Sequence, residues 1–415
     1  MKNIFIIGSG ASGMMAAISA SMQAEFSDEE IKITLLENES VVGRKILVTG
    51  NGKCNLSNRS LSVKDYHCRD EEFVQTVLNR FDGNQTVSFF ECLGLMIKDK
   101  NGYLYPNTGQ ASTVNEILLS EIQRRNISLH CNTHVVNVLK ENGIFKVMTS
   151  TFYTYEADAV ILACGSPAGG VSGADASGYS ISAHLGHNII PVIPSLVQLK
   201  SKDNCFTSLA GIRINASVTL FGNEREYAKE TGEIQLTDYG VSGIPVFQLS
   251  GTCAELIQSD KKTELLIDFL PDEAEEDIMI YLRERKKILG YKKIGRFLQG
   301  MFPEPLCNEI LKRTLLPKSS LVEEMEDEHL RLILKQIKEF NVRIYAVNSL
   351  KHAQVARGGV DIKEVCPETM SSRIVDGLFF AGELLDVDGR CGGYNLQWAW
   401  SSGFVAGTSA VNYLK

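Results

Sequence analysis

The stretch KNIFIIGSGASGMMAAISASM, residues 2–22, admits few architectures. Ile4 to Ile7 is a short apolar run of the kind that forms a strand buried on both faces. Gly8, Gly10 and Gly13 follow at G-x-G-x-x-G spacing, and Met14 to Met22 is helical in character. In such a strand–turn–helix the first glycine permits a tight turn and the second lets the backbone approach a pyrophosphate. The third lets the helix pack on the strand. The helix N-terminus adds unpaired N–H groups and a partial positive charge. A second strand reads across IKITLLE, residues 31–37, and ends in Glu37. A carboxylate there binds ribose hydroxyls and repels a 2′-phosphate, which favours FAD or NAD over NADP.

The far end of the chain repeats the theme. VDGLFFAGELLDVDGRCGGYNLQWAWSSGFVAGTSAV occupies residues 375–411. Leu378 to Ala381 reads as a strand, Gly382-Glu383 ends it, and Gly392-Gly393 leads into a helix from about Asn395. That N-terminus would stabilise negative charge on the N1–C2=O edge of a reduced flavin. A third segment, GRKILVTGNGKCNLSN at 43–58, is rich in glycine, amide and basic side chains. Gly52-Lys53 imitates the end of a P-loop, but Leu47 and Cys54 stand where that motif needs Gly and Ser or Thr.

Together these motifs closely resemble a family of bacterial FAD flavoproteins that includes aminoacetone oxidase-like and BaiN-type proteins. The resemblance runs over essentially the whole chain. It rests on GSGASG with Glu37, on GRKILVTGNGKCNLSN and on GGYNLQWAWSSG, with further landmarks at 102–112, 186–199 and 236–250. It implies a discontinuous Rossmann-like FAD-binding domain of the two-dinucleotide-binding type. The cofactor-binding set it implies begins with Gly8, Gly10, Ala11, Ser12, Gly13, Glu37 and Asn38. Arg44, Lys45, Asn51, Gly52, Lys53, Cys54 and Asn55 would line FAD or the substrate cavity, and Val135, Ala163 and Gly165 lie further along. Gly382, Glu383 and Asp388 belong to it, with Glu383 at the ribityl–phosphate part and Gly392, Gly393, Tyr394 and Asn395 at the flavin-facing turn. Two positions depart from the family pattern. Lys53 stands where many members have arginine, and Ala163-Cys164-Gly165-Ser166 replaces A-T-G-G.

Between the nucleotide motifs the pattern changes. In IRINASVTL, Ile212, Ile214, Ala216, Val218 and Leu220 alternate with polar residues, as in a half-buried strand. GEIQLTD and TELLIDFLP read similarly. The expected division is an FAD domain over 1–194 and 342–415, an antiparallel β domain over 195–270 and a helical subdomain over 271–341. The acids-first, bases-last run PDEAEEDIMIYLRERKK suits a helix dipole. Ligand sites commonly lie between such domains.

Composition narrows the function. Net charge is -8, which argues against nucleic acid as the main partner and sets back an RNA-modifying flavoenzyme. Ten cysteines without a C-x-x-C pair read as reduced thiols of a cytoplasmic protein. No run of about 18 apolar residues occurs, so no membrane span is expected. His184-x-x-His187 and His130-Cys131-x-x-His134 lack further ligands, so no metal site is read. Cys54 and, more weakly, Cys391 are candidate redox thiols beside flavin, with packed small residues as the alternative. Tyr103, Tyr105 and Tyr239 are candidate proton donors. The function read is an FAD-dependent oxidoreductase moving hydride between flavin and a small or medium organic substrate, at a C–N or C=C bond. NAD(P)H is a candidate transient donor, although no second nucleotide motif is visible. An oxygen-using amine oxidase and a non-catalytic flavin sensor are the alternatives.

Overall fold

A computed structural model describes residues 1–415 and divides into two compact units: Met1–Ile193 with Leu350–Lys415, and Pro194–Ser349.

The first unit is built on a parallel sheet. Its strands are β1 (Lys2–Ile7), β2 (Ile31–Leu36), β3 (Ser128–His130), β4 (Ala159–Leu162) and β5 (Leu378–Phe380), in spatial order β5-β4-β1-β2-β3. Ile4 and Ile6 of β1 and all of β4 are buried, as a sheet covered on both faces requires. Because β1 lies between β4 and β2, the strand order reverses at its carboxyl end, the position at which ligands bind in open α/β sheets.

Helix α1 (Ala11–Ala24) follows β1, and α2 (Tyr394–Tyr413) closes the chain. They pack closely because their contact faces are small. A Cβ on Gly403 would lie 2.4 Å from the Ser12 carbonyl oxygen, and one on Gly407 2.2 Å from that of Ala16. The indoles of α2 anchor it on its other side: Trp398 donates to Gly382 O at 3.1 Å and Trp400 to Leu56 O at 3.0 Å.

The second unit is a closed six-stranded barrel, in the order 199–201, 240–243, 225–237, 213–222, 263–268 and 340–347. The alternation read in the sequence points Ala216, Val218 and Leu220 inward, beside Leu236, Leu265 and Ile267. Two readings need correction. Residues 342–347 do not resume the nucleotide domain. They lie in the strand Phe340–Val347, which pairs with 263–267 and 199–201 and closes the barrel, because Phe340, Val342 and Ile344 alternate inward. Nor do the helices Glu275–Leu289, Glu304–Arg313 and Asp327–Lys338 form a subdomain of their own. Leu282, Ile310 and Ile333 share one apolar core with the barrel.

Candidate active site

At the first turn the three glycines do different work. Gly8 has φ +101°, and a Cβ there would lie 2.5 Å from the Ala163 carbonyl oxygen at the end of β4. A Cβ on Gly13 would lie 1.8 Å from the Gly8 oxygen. Those two positions are closed by packing. A Cβ on Gly10 meets nothing within 4 Å, and Gly10 is the N-cap of α1 without a capping side chain. The open space therefore lies where the free N–H groups of the helix point, and it fits the pyrophosphate of a dinucleotide. Gly165, past β4, is also open.

Glu37 closes the edge of this turn. Its carboxylate accepts the Ser9 N–H at 3.1 Å, the Ser9 hydroxyl and the Glu39 N–H at 2.8 Å. Next to it the Asn38 side chain meets His134 Nδ1 at 3.0 Å, which brings the buried Val135 to the end of β2. Past β5, Gly382 is wedged against α1, where a Cβ would lie 2.4 Å from Ser12 Oγ. Glu383 then accepts from Lys45 at 2.5 Å, the Ser166 hydroxyl at 2.7 Å and the Ala356 N–H at 2.9 Å.

The loop 43–58 turns on left-handed residues, among them Asn51 and Cys54. Arg44 pairs with Glu39 at 3.4 Å, while Asn51 and Lys53 are exposed. Cys54 is fully buried, and burial pushes its thiol up to about 12, which favours the packed small residue, the alternative to a redox thiol. Asn55, also buried, lies against the second turn, where a Cβ on Gly393 would come 2.9 Å from its Oδ1 and 2.6 Å from the Ser57 carbonyl. Asn58 donates to Gly392 O at 3.0 Å.

The second turn is clamped by its own amide. Asn395 accepts the Gly389 N–H at 2.8 Å and donates to the Gly389 carbonyl at 2.7 Å. Tyr66 donates to Tyr394 O at 3.0 Å. The 20-residue α2 starts here without a capping side chain. Asp388, read as a cofactor contact, is held in a buried ion pair with Arg357 at 3.0 Å, and His67 Nδ1 approaches it at 3.3 Å. Burial raises the Asp388 carboxyl, but Arg357 and His67 outweigh it and hold the group below the usual range.

Of the tyrosines, Tyr103 lies against the second turn, its ring 2.8 Å from where a Gly392 Cβ would stand. Tyr105 shares its strand and has its phenol raised by burial, while Tyr239 belongs to the barrel unit. Sequence reading missed Ser9, Ser166, Tyr66, His67 and Arg357. Ser9 sits inside the glycine motif and Arg357 directly before Gly358-Gly359, which were the available signals. Three of the four histidines weighed as metal ligands meet side chains of the fold, His134 through Asn38. His187 meets Ser372 Oγ at 2.8 Å and packs on Phe380, and His130 meets the Tyr155 hydroxyl.

A family model described as HI0933-like protein Rossmann domain matches residues 2–409. The chain belongs to the HI0933-like family. A relative from Clostridium scindens named 3-dehydro-bile acid delta(4,6)-reductase is 39% identical over 99% of both chains. A ribosomal RNA dihydrouridine synthase from Haemophilus influenzae is 27% identical over 97% of both. Among solved structures, a 3-ketosteroid delta1-dehydrogenase from Sterolibacterium denitrificans aligns at TM-score 0.52 and 11% identity, covering 99% of this chain and all of that one, which shows the shared fold. This HI0933-like chain is an FAD-dependent oxidoreductase. No helix is long and apolar enough to cross a membrane.

Proposed function

We propose that this protein reduces a carbon–carbon double bond conjugated to a carbonyl group in a small organic substrate. The observation that carries the reading is the 39% identity, end to end, to a protein named for reducing such a bond. The more distant synthases are named for dihydrouridine, a product with two hydrogens added across a ring double bond beside a carbonyl. The two names differ in substrate and agree in bond type.

FAD, when bound, supplies the hydride chemistry. The open space at Gly10 and the α1 N-terminus would take its pyrophosphate, and Glu37 its adenosine ribose. Lys45 and Glu383 would meet the ribityl–phosphate part. The N-terminus of α2, beyond Gly392 and Gly393, would face the pyrimidine edge of the ring and stabilise negative charge there. NAD(P)H is the proposed electron donor. The ten free cysteines suit a reducing cytoplasm. RNA as substrate is the second reading, favoured by the names of the two synthases and opposed by the net charge of -8.

The test is anaerobic reoxidation of the reduced holoenzyme. A 3-oxo-4-ene or 3-oxo-4,6-diene steroid should restore the oxidised flavin spectrum and lose one carbon–carbon double bond for each flavin reoxidised. Reoxidation by oxygen alone, with flavin reduction by an amine, would replace this reading with amine oxidation.

A further inference from the structure

Residues 66–68 and 387–389 form a short antiparallel ribbon that leads directly into the Gly392-Gly393 turn. Two polar pairs lie on it and at its end. His67 stands across from Asp388 in register, and Arg69 reaches Asp386 at 3.2 Å. From the neighbouring strand Val355–Val360, Arg357 bonds Asp388 at 3.0 Å, and the Gly358 N–H bonds Asp386 at 3.0 Å. The exposures differ within the first pair. The Asp388 and Arg357 side chains are 4% and 8% exposed, whereas that of His67 is 36% exposed.

The ribbon is tied to the start of α2. Gly389 is clamped by Asn395, and Tyr66, beside His67, donates to the Tyr394 carbonyl. Arg357 follows Ala356, whose N–H holds Glu383. The cluster therefore borders two of the groups proposed to hold FAD.

Arg357 alone already neutralises Asp388, so charge balance does not require His67. A buried carboxylate opposite an accessible imidazole does something else: it turns Nδ1 inward and the Nε2 edge away from itself, an arrangement used to orient a general acid. Resting on the reduction proposed above, we infer that His67 is the proton donor of the reaction and that Asp388 is its positioning residue. In the step, the substrate double bond takes a hydride at its β carbon from the reduced flavin. Its π electrons move to the α carbon, which takes a proton from the His67 imidazolium. The double bond becomes single, the flavin is oxidised by two electrons, and the neutral imidazole regains a proton from water.

The experiment uses the holoenzyme with His67→Gln and His67→Ala, after FAD content and melting temperature have been matched to wild type. The non-turnover readout is the long-wavelength charge-transfer band of oxidised flavin with 4-chlorophenol, whose phenolate mimics the enolate. Both variants should bind the probe about tenfold more weakly or worse. Reoxidation of reduced enzyme by a 3-oxo-4-ene steroid should slow by about 100-fold or more, and free imidazole should partly restore the Ala variant, while reduction by dithionite stays unchanged. Phenol affinity equal to wild type, or steroid reoxidation within about twofold of it, overturns the assignment. If wild type itself is not reoxidised by the steroid, the proposed reduction fails and phenol affinity alone decides the placement of His67.

Discussion

The nucleotide unit and the barrel unit both use glycine, but for different ends. In the barrel, Gly240 and Gly243 let strands approach: a Cβ would lie 2.2 Å from the Leu199 carbonyl oxygen and 2.6 Å from that of Glu233. Gly8, Gly13, Gly403 and Gly407 serve the same purpose in the nucleotide unit, whereas a Cβ on Gly10 meets nothing within 4 Å and its φ of -73° needs no glycine. Open space alone does not mark a ligand site, because Gly211 and Gly300 of the barrel unit are open too, but they adopt φ near +90°; at Gly10 neither packing nor backbone conformation accounts for the glycine. The units differ in polar content too. The barrel unit buries one member of an ion pair, Glu309, beside the more exposed Arg313, whereas the nucleotide unit buries both members of the pair Arg357 and Asp388 beside its second turn.

That contrast can be broken first where charge is buried. Arg357→Ala leaves Asp388 in a dry site without its guanidinium partner, and should cost about 3–5 kcal/mol in denaturant unfolding. A loss under about 1 kcal/mol would mean that water reaches the pair. Leu236→Ala in the barrel should cost about 2–5 kcal/mol through transfer and cavity terms, with no dependence on pH. A pH-dependent loss would show a titrating group coupled to that core. The smallest effect concerns His187. Burial lowers its affinity for a proton below the ordinary histidine value, so the unfolded chain binds the proton more readily. Its contribution is full above the unfolded value of about 6.5 and is lost as pH falls through that value toward the lower folded one. His187→Phe should flatten the stability–pH curve in that window, and an unchanged slope would remove His187 as its source.

Much of the nucleotide unit was legible because its signals are local. β1, its glycines and α1 lie within 24 residues, and Glu37 ends the next strand. The barrel strands showed as alternation. What stayed hidden depends on pairing between distant segments. The strand Phe340–Val347 looks the same in sequence whether it joins the parallel sheet or closes the barrel, and the choice is made by 263–267. Asp388 read as a cofactor contact because its partners, His67 and Arg357, come from other segments that only the fold brings together. Cys54 read as a candidate redox thiol because burial leaves no trace in the local sequence.

Gly10→Val tests the central claim most directly. The native φ of -73° suits a side chain, and a Cβ there meets nothing within 4 Å, so the substitution should leave the fold intact. The measurement is the visible absorbance of the purified variant and wild type after incubation with FAD, with circular dichroism to verify folding. The account predicts a yellow wild type and a folded, colourless variant. Equal flavin content in the two would contradict the placement of the cofactor at this turn.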